Sequence, residues 1–194
     1  MCKRSCSQCD HCQNGGWIKP TGFELKGKKL GIAGFGNIGK NVARMAKGIG
    51  MEILVYDVFD IPQNVLEEYS AVQTTMDQIL KECDFITLHV PLTDEQKYDS
   101  TKEFDKMKPN AILINAARGG IVDEKALYEA LKEHKIHSSA SDVFTSEPPQ
   151  GEDWVQELLK MDNFIQTAHI ASRSKEAEIN TVNEATYQIT ELLK

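Results

Sequence analysis

No apolar run in these 194 residues approaches the length of about 18 that a membrane-crossing helix needs, and the polar start has no apolar stretch of the secretion-signal kind. A cytoplasmic protein with no membrane partner is expected. Basic side chains are also scarce. Twenty-two Lys and Arg stand against twenty-nine Asp and Glu, a formal charge of -7, which argues against a nucleic-acid backbone as the main partner because phosphate binding wants a cationic surplus. There is no internal repeat and no low-complexity linker. With 41% hydrophobic and 26% charged residues, the composition fits an ordinary globular core rather than disorder, and the length suits one α/β domain better than two.

Cysteine is nearly missing from the body of the chain. Cys83 stands alone beside an apolar segment and reads as a small buried hydrophobe, whereas Cys2, Cys6, Cys9 and Cys12 crowd the start. Their spacing, C-x3-C-x2-C-x2-C, can surround zinc or an iron–sulfur cluster with thiolates, or belong to a frayed tail; both readings stay open. The first three cysteines match a radical-SAM spacing, but nothing downstream resembles that barrel. Residues 1–15 are therefore set apart as a Cys-rich segment and 16–194 as one domain.

Beyond Asn14-Gly15-Gly16, apolar runs of strand length alternate with helical stretches, which predicts a Rossmann-type, doubly wound, mostly parallel sheet with helices on both faces. Lys29–Ala33 reads as the first strand. Ile38, Val42, Met45 and Ile49 then recur at helical spacing as one apolar face, and Gly50 ends that helix. Residues 53–56, 85–90, 111–114 and 163–167 are further strands. Asp123 is placed to cap a helix carrying Leu127, Ala130 and Leu131. A last helix from Ser174 carries Val182, Ala185, Ile189 and Leu192, with Glu176 and Glu178 in its first turn.

Between the first strand and helix lies Gly34-Phe35-Gly36-Asn37-Ile38-Gly39. This G-x-G-x-x-G permits a tight turn, close backbone approach to a diphosphate and close helix–strand packing, with the diphosphate on the helix N-terminus. Asp57 ends the second strand eighteen positions after Gly39, where a carboxylate can accept hydrogen bonds from a ribose. It would repel a ribose 2′-phosphate, and Val58-Phe59 offer no arginine to receive one. NAD is favoured over NADP.

Four further motifs follow in order: Leu88-His89-Val90-Pro91-Leu92-Thr93, Ile114-Asn115-Ala116-Ala117-Arg118-Gly119-Gly120-Ile121-Val122-Asp123, Asp142-Val143-Phe144-Thr145-Ser146-Glu147-Pro148-Pro149 and Thr167-Ala168-His169-Ile170. From about Gly16 onward the chain resembles the cofactor domain of the D-isomer-specific 2-hydroxyacid dehydrogenases, nearest the phosphoglycerate and glycerate/hydroxypyruvate members. The resemblance implies that Arg118 holds the substrate carboxylate and carbonyl oxygen, that His169 is the acid/base, and that Glu147 orients it. Chemistry suits each role: a guanidinium is always charged and can bind two oxygens, and reduction of a keto group needs a proton donor. The resemblance also implies that Asn37 and Ile38 touch the pyrophosphate, Val90 and Pro91 border the adenosine, and Ala116 and Asp142 meet the nicotinamide carboxamide. Ala117, Arg118 and His169 complete the cofactor contacts. His89 is expected to line the crevice without transferring protons; His11, His134 and His137 are read as structural.

Family members carry a second, substrate domain, which is not found in this sequence; the Cys-rich stretch stands where an inter-domain helix is usual. Ala168 replaces a usual proline, and Ser138 and Ser141 replace a glycine and an aliphatic residue. The expected activity is hydride transfer between NAD and a small D-2-hydroxy or 2-keto acid, weak or absent in this chain by itself. The competing readings are an NAD(H)-responsive regulatory module without turnover and a truncated gene product. A homodimer and a separate substrate-domain chain are the macromolecular partners left open.

Overall fold

The computed structural model describes residues 22–92, 101–170 and 173–193. Their framework is a seven-stranded sheet in the order β3-β2-β1-β4-β5-β6-β7, with every pairing parallel. The strands are β1 (Lys29–Ala33), β2 (Glu52–Tyr56), β3 (Ala71–Gln73), β4 (Phe85–Leu88), β5 (Ile112–Asn115), β6 (Ser138–Ser141) and β7 (Phe164–Gln166). The helices are α1 (Asn37–Ile49), α2 (Gln63–Tyr69), α3 (Met76–Glu82), α4 (Thr101–Lys106), α5 (Glu124–Lys132), α6 (Asp153–Leu158) and α7 (Lys175–Leu192).

Strand side chains alternate between faces, and this sheet sorts them into two cores. Leu30, Ile32, Ile53 and Val55 pack with Ala43 and Ala46 of α1 and Leu66 of α2. Ala33 and Leu54 point the other way, into a larger cluster with Ile79 and Leu80 of α3, Phe104 of α4, Leu127 and Leu131 of α5 and Leu158 of α6. The sheet is thus doubly wound. Ile32, Ile79, Ile86, Leu88 and Leu131 are essentially inaccessible to water, each contributing about 1.5–3 kcal/mol by burial.

The chain runs outward from β1 to β3, crosses, and resumes with β4 on the other side of β1. That reversal opens a crevice above the carboxyl ends of β1 and β4, where α/β proteins of this topology bind ligands.

Two expectations about helix faces change. The face of α1 turned to the sheet is Gly39, Ala43 and Ala46, with Val42 only partly packed. Ile38, Met45 and Ile49 remain 62%, 59% and 50% exposed. Close approach selects small residues on the inner face; helical spacing of the larger ones marked the opposite side. In α7, Ser174 caps the start by accepting from the Ala177 N–H, as its position suggested, and Glu176 and Glu178 lie in the first turn. No residue of α7 is buried, so its apolar stripe finds no cover among the described residues. Cys2, Cys6, Cys9 and Cys12, His11 and the 15/16 division lie outside the described residues. No helix among the described residues is long and apolar enough to cross a membrane.

Candidate active site

The glycine-rich turn assigns a different task to each glycine. Gly34 takes φ +93°, in the left-handed region, and a Cβ there would lie 2.6 Å from the His89 carbonyl oxygen. Only glycine lets the β1 and β4 loops approach this closely, and His89 N–H donates to the Ala33 carbonyl at 2.7 Å to tie them. At Gly39 a Cβ would stand 2.1 Å from the Gly34 carbonyl oxygen, so this glycine seats α1 on the turn. Gly36 differs: a Cβ there would meet nothing within 4 Å. The space beside Gly36 is open, while Gly36 itself is the N-cap of α1 with no side chain bonded across the helix start and no acidic residue in the first turn. The first N–H groups of a helix lack intrahelical partners, so the turn at Asn37 and Ile38 offers donors and a positive dipole end to an anion.

Asp57 sits at the end of β2 and reaches back across the turn. Its Oδ2 accepts the Phe35 N–H at 2.7 Å and its Oδ1 accepts the Phe59 N–H at 3.2 Å. Phe35 is buried and meets Tyr69 edge-to-face at 5.6 Å. The carboxylate is therefore fixed beside the glycine turn. These residues fit a dinucleotide: open approach at Gly36, helix donors with no intrahelical partner, and an oriented acceptor one strand away.

A cavity of about 370 Å³ continues from this turn, lined by Ile38, His89, Val90, Pro91, Leu92, Ala116, Ala117 and Arg118. Here the loop after β5 is held by Asn115, a buried residue: its side-chain amide donates to the Arg118 carbonyl at 3.1 Å and its Oδ1 accepts the Ala117 N–H at 3.2 Å. The Arg118 guanidinium donates to the Ala117 carbonyl at 2.7 Å and pairs with no carboxylate among the described residues. Asp123 caps α5 by accepting from Lys125 and Ala126 N–H, as expected. His89 lines the cavity wall, where burial pushes its pKa below the usual value. It shares a 3.0 Å hydrogen bond with Thr87 through Nε2, and its buried Nδ1 has no partner. A group held neutral in this way is a poor proton donor.

A second cavity of about 450 Å³ opens over β6 and β7, lined by Asp142, Phe144, Glu147, Pro148, Pro149, Gln166, Thr167, Ala168 and His169. His169 Nδ1 lies 3.0 Å from Glu147 Oε2. Glu147 Oε1 accepts the Phe144 N–H at 3.2 Å. The His169 contact, then this backbone bond, hold the Glu147 carboxyl below the usual carboxylate range. With Nδ1 committed, Nε2 is the ring nitrogen left for a reacting group. His169 has φ +52°, a conformation seldom taken by a side-chain-bearing residue. Asp142 fastens it there: its Oδ1 accepts both the His169 N–H at 3.1 Å and the Thr167 hydroxyl. These bonds hold the backbone beside Ala168, the residue that stands where a proline is usual. Ser141 is buried with its hydroxyl donating to the Val143 carbonyl at 2.7 Å, so its polar group is satisfied.

The structure thus brings together Asp142, Glu147 and His169 in one cavity and Ile38, Val90, Pro91, Ala116, Ala117 and Arg118 in another. Among the described residues none lines both. Neighbouring strands bring the two close: Asp142 N–H donates to the Asn115 carbonyl at 3.0 Å, and a Cβ on Gly119 would stand 2.0 Å from the Phe144 carbonyl oxygen. The motifs did not single out Asn115, Thr167 or the second task of Asp142. An Asn at a strand end, two residues before the N–H it accepts, was the available signal for the first.

The family profile for the D-isomer specific 2-hydroxyacid dehydrogenase, NAD binding domain, matches residues 1–171. The chain belongs to this family. Among curated dehydrogenase relatives, it is 44% identical over 175 residues to D-3-phosphoglycerate dehydrogenase of Methanocaldococcus jannaschii, covering 89% of this chain and 32% of that one. It is 48% identical over 165 residues to glyoxylate reductase of Thermococcus litoralis, covering 84% and 48% respectively. In three dimensions it matches D-lactate dehydrogenase from Aquifex aeolicus complexed with NAD and lactic acid at a TM-score of 0.83 and 32% identity, covering 95% of this chain and 59% of that one. The chain therefore spans about a third to a half of the length of these curated relatives. Its fold is that of the NAD-binding domain of a D-2-hydroxyacid dehydrogenase.

Proposed function

We propose that this chain is the cofactor half of an enzyme that interconverts a small 2-keto acid and its D-2-hydroxy acid. In that reading Gly34, Gly36, Asn37, Ile38 and Gly39 hold the diphosphate, Asp57 the adenosine ribose, Val90 and Pro91 the adenosine flank, and Ala116, Ala117 and Asp142 the carboxamide. The nicotinamide, when bound, supplies or accepts the hydride. Arg118 swings from the Ala117 carbonyl to clamp the substrate carboxylate and polarise the keto oxygen. His169 gives its Nε2 proton to that oxygen as negative charge develops, and takes a proton back in the oxidative direction. Glu147 keeps the ring turned so that Nε2, not Nδ1, meets the substrate.

The observation that carries this reading is the 3.0 Å pair of His169 and Glu147 beside Asp142. The relatives named above, a D-3-phosphoglycerate dehydrogenase and a glyoxylate reductase, support a small 2-keto or 2-hydroxy acid as the substrate class. NADH oxidation with glyoxylate, hydroxypyruvate or pyruvate tests it. Turnover by this chain alone is expected to be feeble, because a second domain normally helps to exclude water from the cleft. It should vanish in His169→Ala while NADH binding persists; an unchanged trace rate in that variant contradicts the assignment, and robust turnover by the wild-type chain contradicts the need for a second domain.

The same proposal includes a domain beginning near residue 16, a Cys-rich segment before it, and a homodimer. The outward apolar residues Met45 and Ile49 of α1 support the last of these. Sedimentation velocity should show a dimer, and elemental analysis of anaerobically purified protein should decide whether the four cysteines carry zinc or iron.

A further inference from the structure

The cavity over β6 and β7 is larger than the chemistry at its wall requires. Its volume is about 450 Å³, within the range of roughly 300–1,000 Å³ typical of pockets that enclose a whole small-molecule ligand; glyoxylate would fill a corner of it. The walls are firm. Phe144 is buried and meets Phe164 edge-to-face at 6.3 Å, and Pro148 and Pro149 have φ locked by their rings. With Ala168 they give the cavity a largely apolar lining. Its ionisable lining groups are Asp142, Glu147 and His169, with no Lys or Arg among the described residues. Gln166, at the end of β7, adds one polar feature: its Oε1 is buried and accepts no hydrogen bond from the described residues. A buried acceptor without a donor is costly, and an occupant of the cavity that carries a donor removes that cost.

The keto carbon of a 2-keto acid bears three groups. In the catalytic reading above, the oxygen goes to His169 Nε2 and the carboxylate to Arg118, across the contact at which Gly119 abuts the Phe144 carbonyl. The third group, the substituent, is left to the space beside His169. We propose that this cavity is the substituent subsite, that it takes an aromatic or branched aliphatic group, and that Gln166 accepts a hydrogen bond from a hydroxyl on that group. The proposal rests on the catalytic reading and deepens it by naming the substituent. Glyoxylate has nothing to place there, and a phosphate would face two carboxylates with no Lys or Arg to receive it.

Rates of NADH oxidation by the full chain, however small, rank the acids. Each buried methylene-sized group contributes about fourfold, so kcat/KM for phenylpyruvate should exceed that for glyoxylate by roughly tenfold or more, with phosphohydroxypyruvate below both. Ala168→Leu puts a branched side chain on the cavity wall; it should remove the preference and leave the glyoxylate rate unchanged. In the wild type 4-hydroxyphenylpyruvate should gain roughly threefold over phenylpyruvate, a gain that Gln166→Leu abolishes. Preference for glyoxylate or phosphohydroxypyruvate over phenylpyruvate, or a preference that survives in Ala168→Leu, overturns the subsite. A hydroxyl gain that is absent, or that persists in Gln166→Leu, overturns the role of Gln166.

Amide resonances read the cavity without turnover and without any dinucleotide. On titration with phenylpyruvate, the Phe144 and Gln166 resonances should shift together in the wild type and stay unmoved in Ala168→Leu. No shift in the wild type overturns the subsite even where glyoxylate is reduced; shifts with no acid reduced uphold the subsite and overturn only the catalytic reading.

Discussion

Replacing Gly36 by alanine separates the part of the glycine turn proposed to serve the ligand from the parts that serve the fold. Gly36 has φ -75° and ψ -159°, which alanine can adopt, and its new Cβ would meet no atom within 4 Å. Alanine is a poorer helix cap than glycine but has less freedom to lose from the unfolded chain, two effects that oppose each other and are each below about 1 kcal/mol. The melting temperature should therefore move by no more than about 2 °C. Cofactor binding should suffer, because the methyl occupies the side from which a diphosphate reaches the α1 amides. Losing one hydrogen bond to a charged group costs about 1.5–3 kcal/mol, or roughly tenfold to a hundredfold in Kd. Gly39→Ala supplies the contrast: its Cβ would lie 2.1 Å from the Gly34 carbonyl oxygen, so α1 must move and about 1–3 kcal/mol of stability should go with it. Thermal unfolding and NADH calorimetry on both variants measure these effects. A folded Gly36→Ala protein that binds NADH as tightly as the wild type would refute the reasoning.

Burial pushes the Cys83 thiol up to about 12, so peptide mapping after alkylation of the native protein should find Cys83 unmodified, with labelling only on unfolding. Burial lowers the His89 pKa, so its contribution to stability is complete above the unfolded value near 6.5 and is lost as pH falls through the lower folded value. Melting curves should therefore show an acid-side loss of stability that is smaller in His89→Gln. For Glu147 the same sign applies at lower pH: its ionised form is favoured in the fold, so the stabilisation is present above the usual 4.5 and disappears as pH drops through its depressed value. Glu147→Gln should flatten that part of the pH profile and, in turnover assays, lower kcat while leaving the Kd for NADH near the wild-type value.

Strand and turn chemistry were legible in the sequence where the physics is local. The first strand matches its predicted bounds, the Asp123 cap forms, and Asp57 lies beside the glycine turn because the spacing of a β-α-β unit fixes that distance. Packing was less legible. The larger apolar residues of α1 pointed to the wrong face, because a helix pressed against a sheet advertises its contact through Gly39, Ala43 and Ala46, which carry little hydrophobic signal. Short elements such as β3 and α4 lack enough residues to show a period and did not emerge. Motif order found Glu147 and His169, but not the bonds by which Asp142 and Thr167 hold the histidine backbone. Those depend on β6 and β7 lying side by side, which is a property of the folded sheet.

In the proposed function, amides at the Gly36 turn grip a diphosphate while Asp57 reads an unphosphorylated sugar. Calorimetric titration of the folded wild-type chain with NADH and, separately, with NADPH tests it most directly. Saturable one-site binding of NADH, with NADPH distinctly weaker, is the predicted result. No binding of NADH at millimolar concentration by the folded chain, or equal affinity for the two nucleotides, would contradict the account.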